Sequence, residues 1–137
     1  MDEQDLKELV AAARIARLAT VDPSGRPHLV PVCFALADEV IYSAVDQKPK
    51  ATTRLRRLEN IRSNPAVELL VDHYEEDWTR LWWVRALGHG AVFEEGPERE
   101  RGLAALLEKY AQYRDRQPNG AVIAISVSRW RGWSASG

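Results

Sequence analysis

Apolar positions recur along the chain at two alternating periods, and the changes of period mark out its elements. Leu6, Leu9, Val10 and Ala13 fall at helical spacing behind an acidic first turn, so a short amphipathic helix opens the chain. "RLATVDPSGRPHLVPVCFAL" then reads as a hairpin, because Asp22-Pro23-Ser24-Gly25 is turn chemistry between two β-rich runs. The second run continues to "ALADE", and Val40 to Val45 makes a third strand. From about Thr52 to Ser63, Leu55, Leu58 and Ile61 recur at steps of three along one edge of a helix, which Asn64-Pro65 ends. Val67, Leu69 and Val71 alternate against Glu68 and Asp72 in a half-buried strand. "LWWVRALGHGAVFEE" is a long strand in which Gly88 and Gly90 allow a bend or a close backbone approach. "GPERERGLAALLEKYAQY" is a helix with Pro97 near its start, and "GAVIAISVSRW" is a last alternating strand.

The order is helix, three strands, helix, two strands, helix, strand. Tight turns and hairpins make the sheet largely antiparallel. The expected fold class is mainly β with flanking helices (α+β): six or so strands closing on themselves into a small barrel that hides its edges. No linker, repeat or low-complexity tract interrupts residues 1–137, so one domain is expected.

Composition narrows the function. The 137 residues are 45% apolar and 28% charged, an ordinary globular balance. A net charge of -1 argues against a protein that meets nucleic acid through its overall field. The single cysteine, Cys33, forbids an intrachain disulfide and suits a reducing compartment. No apolar stretch approaches the roughly 20 residues of a membrane span, and the acidic start does not resemble a secretory signal; a cytoplasmic location with no membrane partner is expected.

No glycine-rich phosphate loop and no nucleophile elbow occurs. His28, His73 and His89 are scattered over different strands without metal-ligand spacing, so no metal is expected, and Asp72-His73 reads as a strand-end polar cluster. An enzyme with this sequence takes its hard chemistry from a bound cofactor.

One segment stands out. "QKPKATTRLRR", residues 47–57, carries five cations and no acid. Three readings are open: a solvated helix face, a nucleic-acid patch, or a phosphate seat. Lys48 and Lys50 flank a helix start beside Thr52 and Thr53, where ammonium groups, hydroxyls and backbone N–H groups can meet an anion. The nucleic-acid reading lacks interleaved aromatic residues.

"ARLATVDPSGRPHLVPVCFAL", "EVIYSAVDQKPKA", "LWWVRALGHGAV" and "ISVSRWRGW", taken in order, resemble the pyridoxamine-5'-phosphate-oxidase-like flavin and deazaflavin proteins, and most of all their branch of coenzyme F420-dependent enzymes. The resemblance runs over nearly the whole chain. It implies a split β-barrel that forms a homodimer, holds a cofactor at each subunit interface and moves hydride between that cofactor and a small-molecule substrate. It also implies a cofactor site. His28, Val30, Pro31 and Val32 would line the ring; Tyr42 and Ser43 match an aromatic-hydroxyl pair; Lys50-Ala51 matches a phosphate-binding lysine and small residue, with Lys48 two positions before it. Arg54 and Arg57 extend that set. Flavin-type members carry a basic residue on the second strand where this chain has Cys33 or a neighbour, which puts F420 ahead of FMN. A non-catalytic flavin- or tetrapyrrole-binding protein of the same fold is the alternative from another class.

Five tryptophans in so short a chain call for cover. Trp82 and Trp83 point to opposite faces of their strand, so one can face the core while the other covers a subunit interface or the ring pocket. Trp130 and Trp133 are expected at the dimer seam or the pocket rim.

Overall fold

The computed structural model describes residues 1–45 and 55–137. Helix α1 (Glu3–Ala12) begins with a capping box, in which the Asp2 and Asp5 side chains each accept from the other's backbone N–H. Strands β1 (Ala16–Val21) and β2 (Pro27–Val32) pair antiparallel across the expected turn. There Asp22 Oδ1 accepts from the N–H groups of Ser24 and Arg26, and Gly25 takes the positive φ (89°) that the turn requires. Strands β3 (Ala35–Ala37) and β4 (Val40–Ala44) form a second, shorter hairpin. Helix α2 (Arg56–Ser63), strand β5 (Ala66–His73), a short 3₁₀ turn (Trp78–Arg80) and the long strand β6 (Trp82–Phe93) follow. Helices α3 (Pro97–Lys109) and α4 (Ala111–Asp115) precede strand β7 (Val122–Ser134). Among the described residues no helix is long and apolar enough to cross a membrane.

Among the described residues seven strands form one antiparallel sheet in the order β2-β1-β5-β6-β7-β4-β3. The two edges of that list are consecutive in sequence: β2 ends at Val32 and β3 begins at Ala35. Three Cα steps span at most about 11 Å. The edges must therefore approach one another, and the sheet curls into a split barrel.

The pattern of apolar residues gave six strands and the described residues form seven, because the second run breaks at Cys33-Phe34. No turn residue causes the break. The Tyr110 hydroxyl accepts from Phe34 N at 3.1 Å and lies 3.0 Å from Phe34 O, so a side chain far along the chain takes the backbone groups a strand ladder would use.

The long-strand glycines behave as their positions suggested. The register of β6 on β7 shifts between Leu87 and Gly88, and a Cβ on Gly88 would meet Ser126 O at 2.2 Å. The barrel interior is filled by Leu6 and Val10 from α1, Ile61 from α2, and Leu18, Val32, Phe34, Ile41, Leu69, Val84, Ile123 and Ile125. A second core lies under α3 and α4, where Tyr42, Leu106, Tyr110, Tyr113 and Val122 pack. The opposite face of β1, β5, β6 and β7 carries Arg17, Leu70, Arg85 and Arg131 in one row of the register.

A candidate cofactor site where the barrel edges meet

The Cys33-Phe34 crossing forms one wall of a polar cavity of about 220 Å³. Ile15, Pro31, Val32, Cys33, Ser43, Ala44, Arg57 and Tyr113 line it. Each element has a local reason to be there. β2 brings Pro31 and Val32 to the end of an edge strand, where proline's missing N–H costs no ladder bond. Strand alternation turns Ser43 toward the crossing, and its Oγ donates to Cys33 O at 2.9 Å. α2 presents Arg57 in its first turn, and α4 folds back to deliver Tyr113.

A cluster of aromatic and cationic groups supports the wall from behind. The Tyr110 hydroxyl shares its proton between Phe34 O and Arg14 O (3.0 and 2.9 Å). Burial pushes that phenol above its ordinary range. Lys109 Nζ donates to Phe34 O at 2.9 Å and stands 3.9 Å from the centroid of the Phe34 ring. Burial, with the neighbouring Arg14 guanidinium second, pushes the Lys109 amine down to about 8. Cys33 itself is exposed.

The structure divides the residues singled out in the sequence. Pro31, Val32, Ser43 and Arg57 come together around the cavity. Lys48, Lys50, Ala51 and Arg54 lie outside the described residues, in the segment that joins the end of β4 to α2. His28 and Val30 share the inward face of β2 with Val32 but pair further up the strand, opposite Thr20 and Leu18. His28 Nδ1 is buried with no hydrogen-bond partner among the described residues. Tyr42 stands on the other face of β4 from Ser43: it is 1% exposed, packs in the second core and donates to Glu98 Oε2 at 2.6 Å. Burial and the Glu98 carboxylate both push its phenol upward, as expected of a group that stays a neutral donor. It is a core residue and does not line the cavity.

Trp82 and Trp83 are also elsewhere. They border a second, apolar cavity of about 410 Å³ with Leu70, Tyr74 and Trp133. Trp82 packs partly against the barrel core and stacks on His73, with centroids 6.1 Å apart. Trp83 stands on the outward face of β6, with the Arg85 guanidinium 5.8 Å from its centroid. Trp130 packs on the core, whereas Trp133 is 46% exposed.

Sequence reasoning passed over Ile15, Ala44 and Tyr113. Their only signal is tertiary, since nothing in the sequence of α4 says that it returns to the end of β2.

The curled antiparallel sheet with helices on its flanks defines the class, a split β-barrel. Residues 2–134 match the model of the pyridoxamine 5'-phosphate oxidase family, and the chain belongs to that family. Solved structures of similar fold include a conserved hypothetical protein of Mycobacterium tuberculosis (23% identity over 98% of this chain and 86% of that one, TM-score 0.79). A FAD-binding protein of Mesorhizobium loti is similar at 19% identity over 96% of this chain and 92% of that one (TM-score 0.75). The heme storage protein HutZ of Vibrio cholerae is similar at 16% identity over 96% and 93%, with a TM-score of 0.71. No curated protein sequence matches the chain.

Proposed function

We propose that this chain is an oxidoreductase of its family that binds coenzyme F420 and passes hydride between that deazaflavin and a small organic acceptor. The observation that carries the reading is the cavity at the end of β4, which Pro31, Val32, Ser43 and Arg57 surround. The Arg57 guanidinium on the cavity lining fits the anionic tail of such a cofactor. At about 220 Å³ the cavity is smaller than the roughly 300–1,000 Å³ of a typical small-molecule site. One subunit's described residues therefore enclose only part of such a ligand, and a homodimer would complete the site across a subunit interface.

The cofactor, when bound, supplies the hydride. The chain's own share is to clamp the tail through Arg57 and Lys50, to present one ring face beside Pro31 and Val32, and to keep water from the reacting carbon. No protein acid or base is required of these residues.

Side-by-side titration of the purified protein with F420 and FMN tests the reading. F420 is expected to bind in the micromolar range and FMN more weakly. Lys50→Ala or Arg57→Ala is expected to weaken F420 by roughly 1.5–3 kcal/mol, the worth of one charge-assisted contact. A yellow preparation that releases FMN on denaturation would reassign the cofactor.

A second reading has its own support. One similar fold belongs to a heme storage protein, and the described residues place no catalytic constellation at the cavity. A non-catalytic flavin or tetrapyrrole carrier would bind ligand yet turn over no quinone, enone or bilin.

A further inference from the structure

Two cations behind the cavity wall have no carboxylate partner among the described residues. Arg14 lies between α1 and β1, and Lys109 is the last residue of α3. They converge on a single ring: the Arg14 guanidinium carbon is 4.8 Å and Lys109 Nζ 5.3 Å from the Tyr110 centroid. Arg14 Nη2 also donates to Lys109 O at 3.2 Å, which ties the two residues together. Like charges at such range repel, and the half-buried ammonium has given up part of its hydration. Aromatic faces and carbonyl oxygens offset some of that cost, but neither carries a full negative charge. The spare N–H donors of both side chains remain available to an oxyanion.

Their location gives the pair a use. Ile15 and Cys33, which line the cavity, are the chain neighbours of Arg14 and of Phe34, the residue whose carbonyl receives Lys109 Nζ. Tyr113, on the same wall, makes edge contact with the Tyr110 ring (centroids 5.4 Å apart). Arg14 and Lys109 do not line the cavity themselves; they adjoin its Ile15–Cys33–Tyr113 rim through these neighbours.

We propose that Arg14 and Lys109 form an oxyanion subsite at this rim, which takes a carboxylate or phosphate group of the molecule that occupies the cavity. The subsite gives the cavity a second anchor: a ligand held by its tail at the Arg57 side is oriented by a second anionic group at this rim. The proposal rests on the cavity being a ligand site and not on which cofactor fills it.

The test follows the Lys109 side chain directly, by NMR of lysine-labelled full-length protein titrated from pH 6 to 11 at constant ionic strength. Three media are compared: chloride, inorganic phosphate and benzoate. Phosphate or benzoate is expected to raise the Lys109 midpoint by about one unit over chloride, a tenfold preference of the anion for the protonated amine. A rise with phosphate alone identifies a phosphate ligand; a rise with benzoate alone identifies a carboxylate. The rise is expected to vanish in Arg14→Gln. An unchanged midpoint in both anions, or a rise that survives Arg14→Gln in full, overturns the subsite. Should Arg14→Gln fail to fold, Lys109→Gln is expected to lose calorimetric phosphate or benzoate binding, and retained binding is the overturning result. No cofactor enters the assay, so its failure leaves the F420 reading standing, and failure of the F420 titration leaves this one standing.

Discussion

Two of the cavities among the described residues, one apolar and one polar, are built in opposite ways. The apolar one is made chiefly by cross-strand neighbours: His73 faces Trp82, Asp72 faces Trp83 and Trp83 faces Trp133, so register assembles most of it. Most of its lining comes from adjacent strands, with Tyr74 and Leu81 from the connection between β5 and β6. The polar one gathers Ile15, Cys33, Ser43, Arg57 and Tyr113 from five separate parts of the chain. Hydrogen bonds behind it fix the backbone of Cys33 and Phe34 from Ser43, Lys109 and Tyr110. A surface assembled by register can lose a side chain without rearranging. A wall pinned by tertiary bonds cannot, and such pre-organised walls are where ligand geometry can be held.

Substitutions should expose that difference, and Phe34→Ala is expected to have the largest effect. Phe34 is fully buried and also floors the Lys109 ammonium, so about 3–5 kcal/mol of stability should be lost in urea unfolding. Tyr110→Phe comes next. It leaves Phe34 N, Phe34 O and Arg14 O with one partner fewer, at about 1–3 kcal/mol. A smaller, pH-dependent effect belongs to Lys109→Met. The amine titrates at about 8 in the folded protein against a reference of 10.5. Below pH 8 both states hold the proton and the folded state bears the whole penalty of a half-buried cation. Between 8 and 10.5 the unfolded chain holds more protons, so this group's contribution to stability rises with pH. The Tm advantage of Lys109→Met over wild type, read by calorimetry, is therefore expected to shrink from pH 8 to pH 10.5. Trp133→Ala is the smallest, within about 0.5 kcal/mol for an exposed residue. A cost approaching that of Phe34→Ala, joined by a fall in sedimentation mass, would instead mean that a second copy covers the tryptophan face.

Much of the fold was legible because it rests on local physics. Asp22 to Gly25 turns the chain through its own side chain and a positive φ, and Gly88 marks the bulge that its sequence position suggested. The site was legible only in part. Pro31, Val32, Ser43 and Arg57 meet, yet Tyr42, adjacent to Ser43, goes to the core, because strand alternation sends neighbours to opposite faces. Periodicity could pair residues with faces but could not say which face α3 would cover.

The sequence by itself determined the strands, the helices, the antiparallel order of their hairpins and the family to which they belong. Those features come from side-chain spacing and turn chemistry, which act over a few residues. Tertiary structure alone decided that the run through Cys33 and Phe34 breaks, and that Arg14 and Lys109 meet over one tyrosine ring at the rim of a cavity. Both outcomes follow from Tyr110, whose hydroxyl satisfies backbone groups 76 and 96 residues away. A hydrogen bond across that separation leaves no period in the sequence.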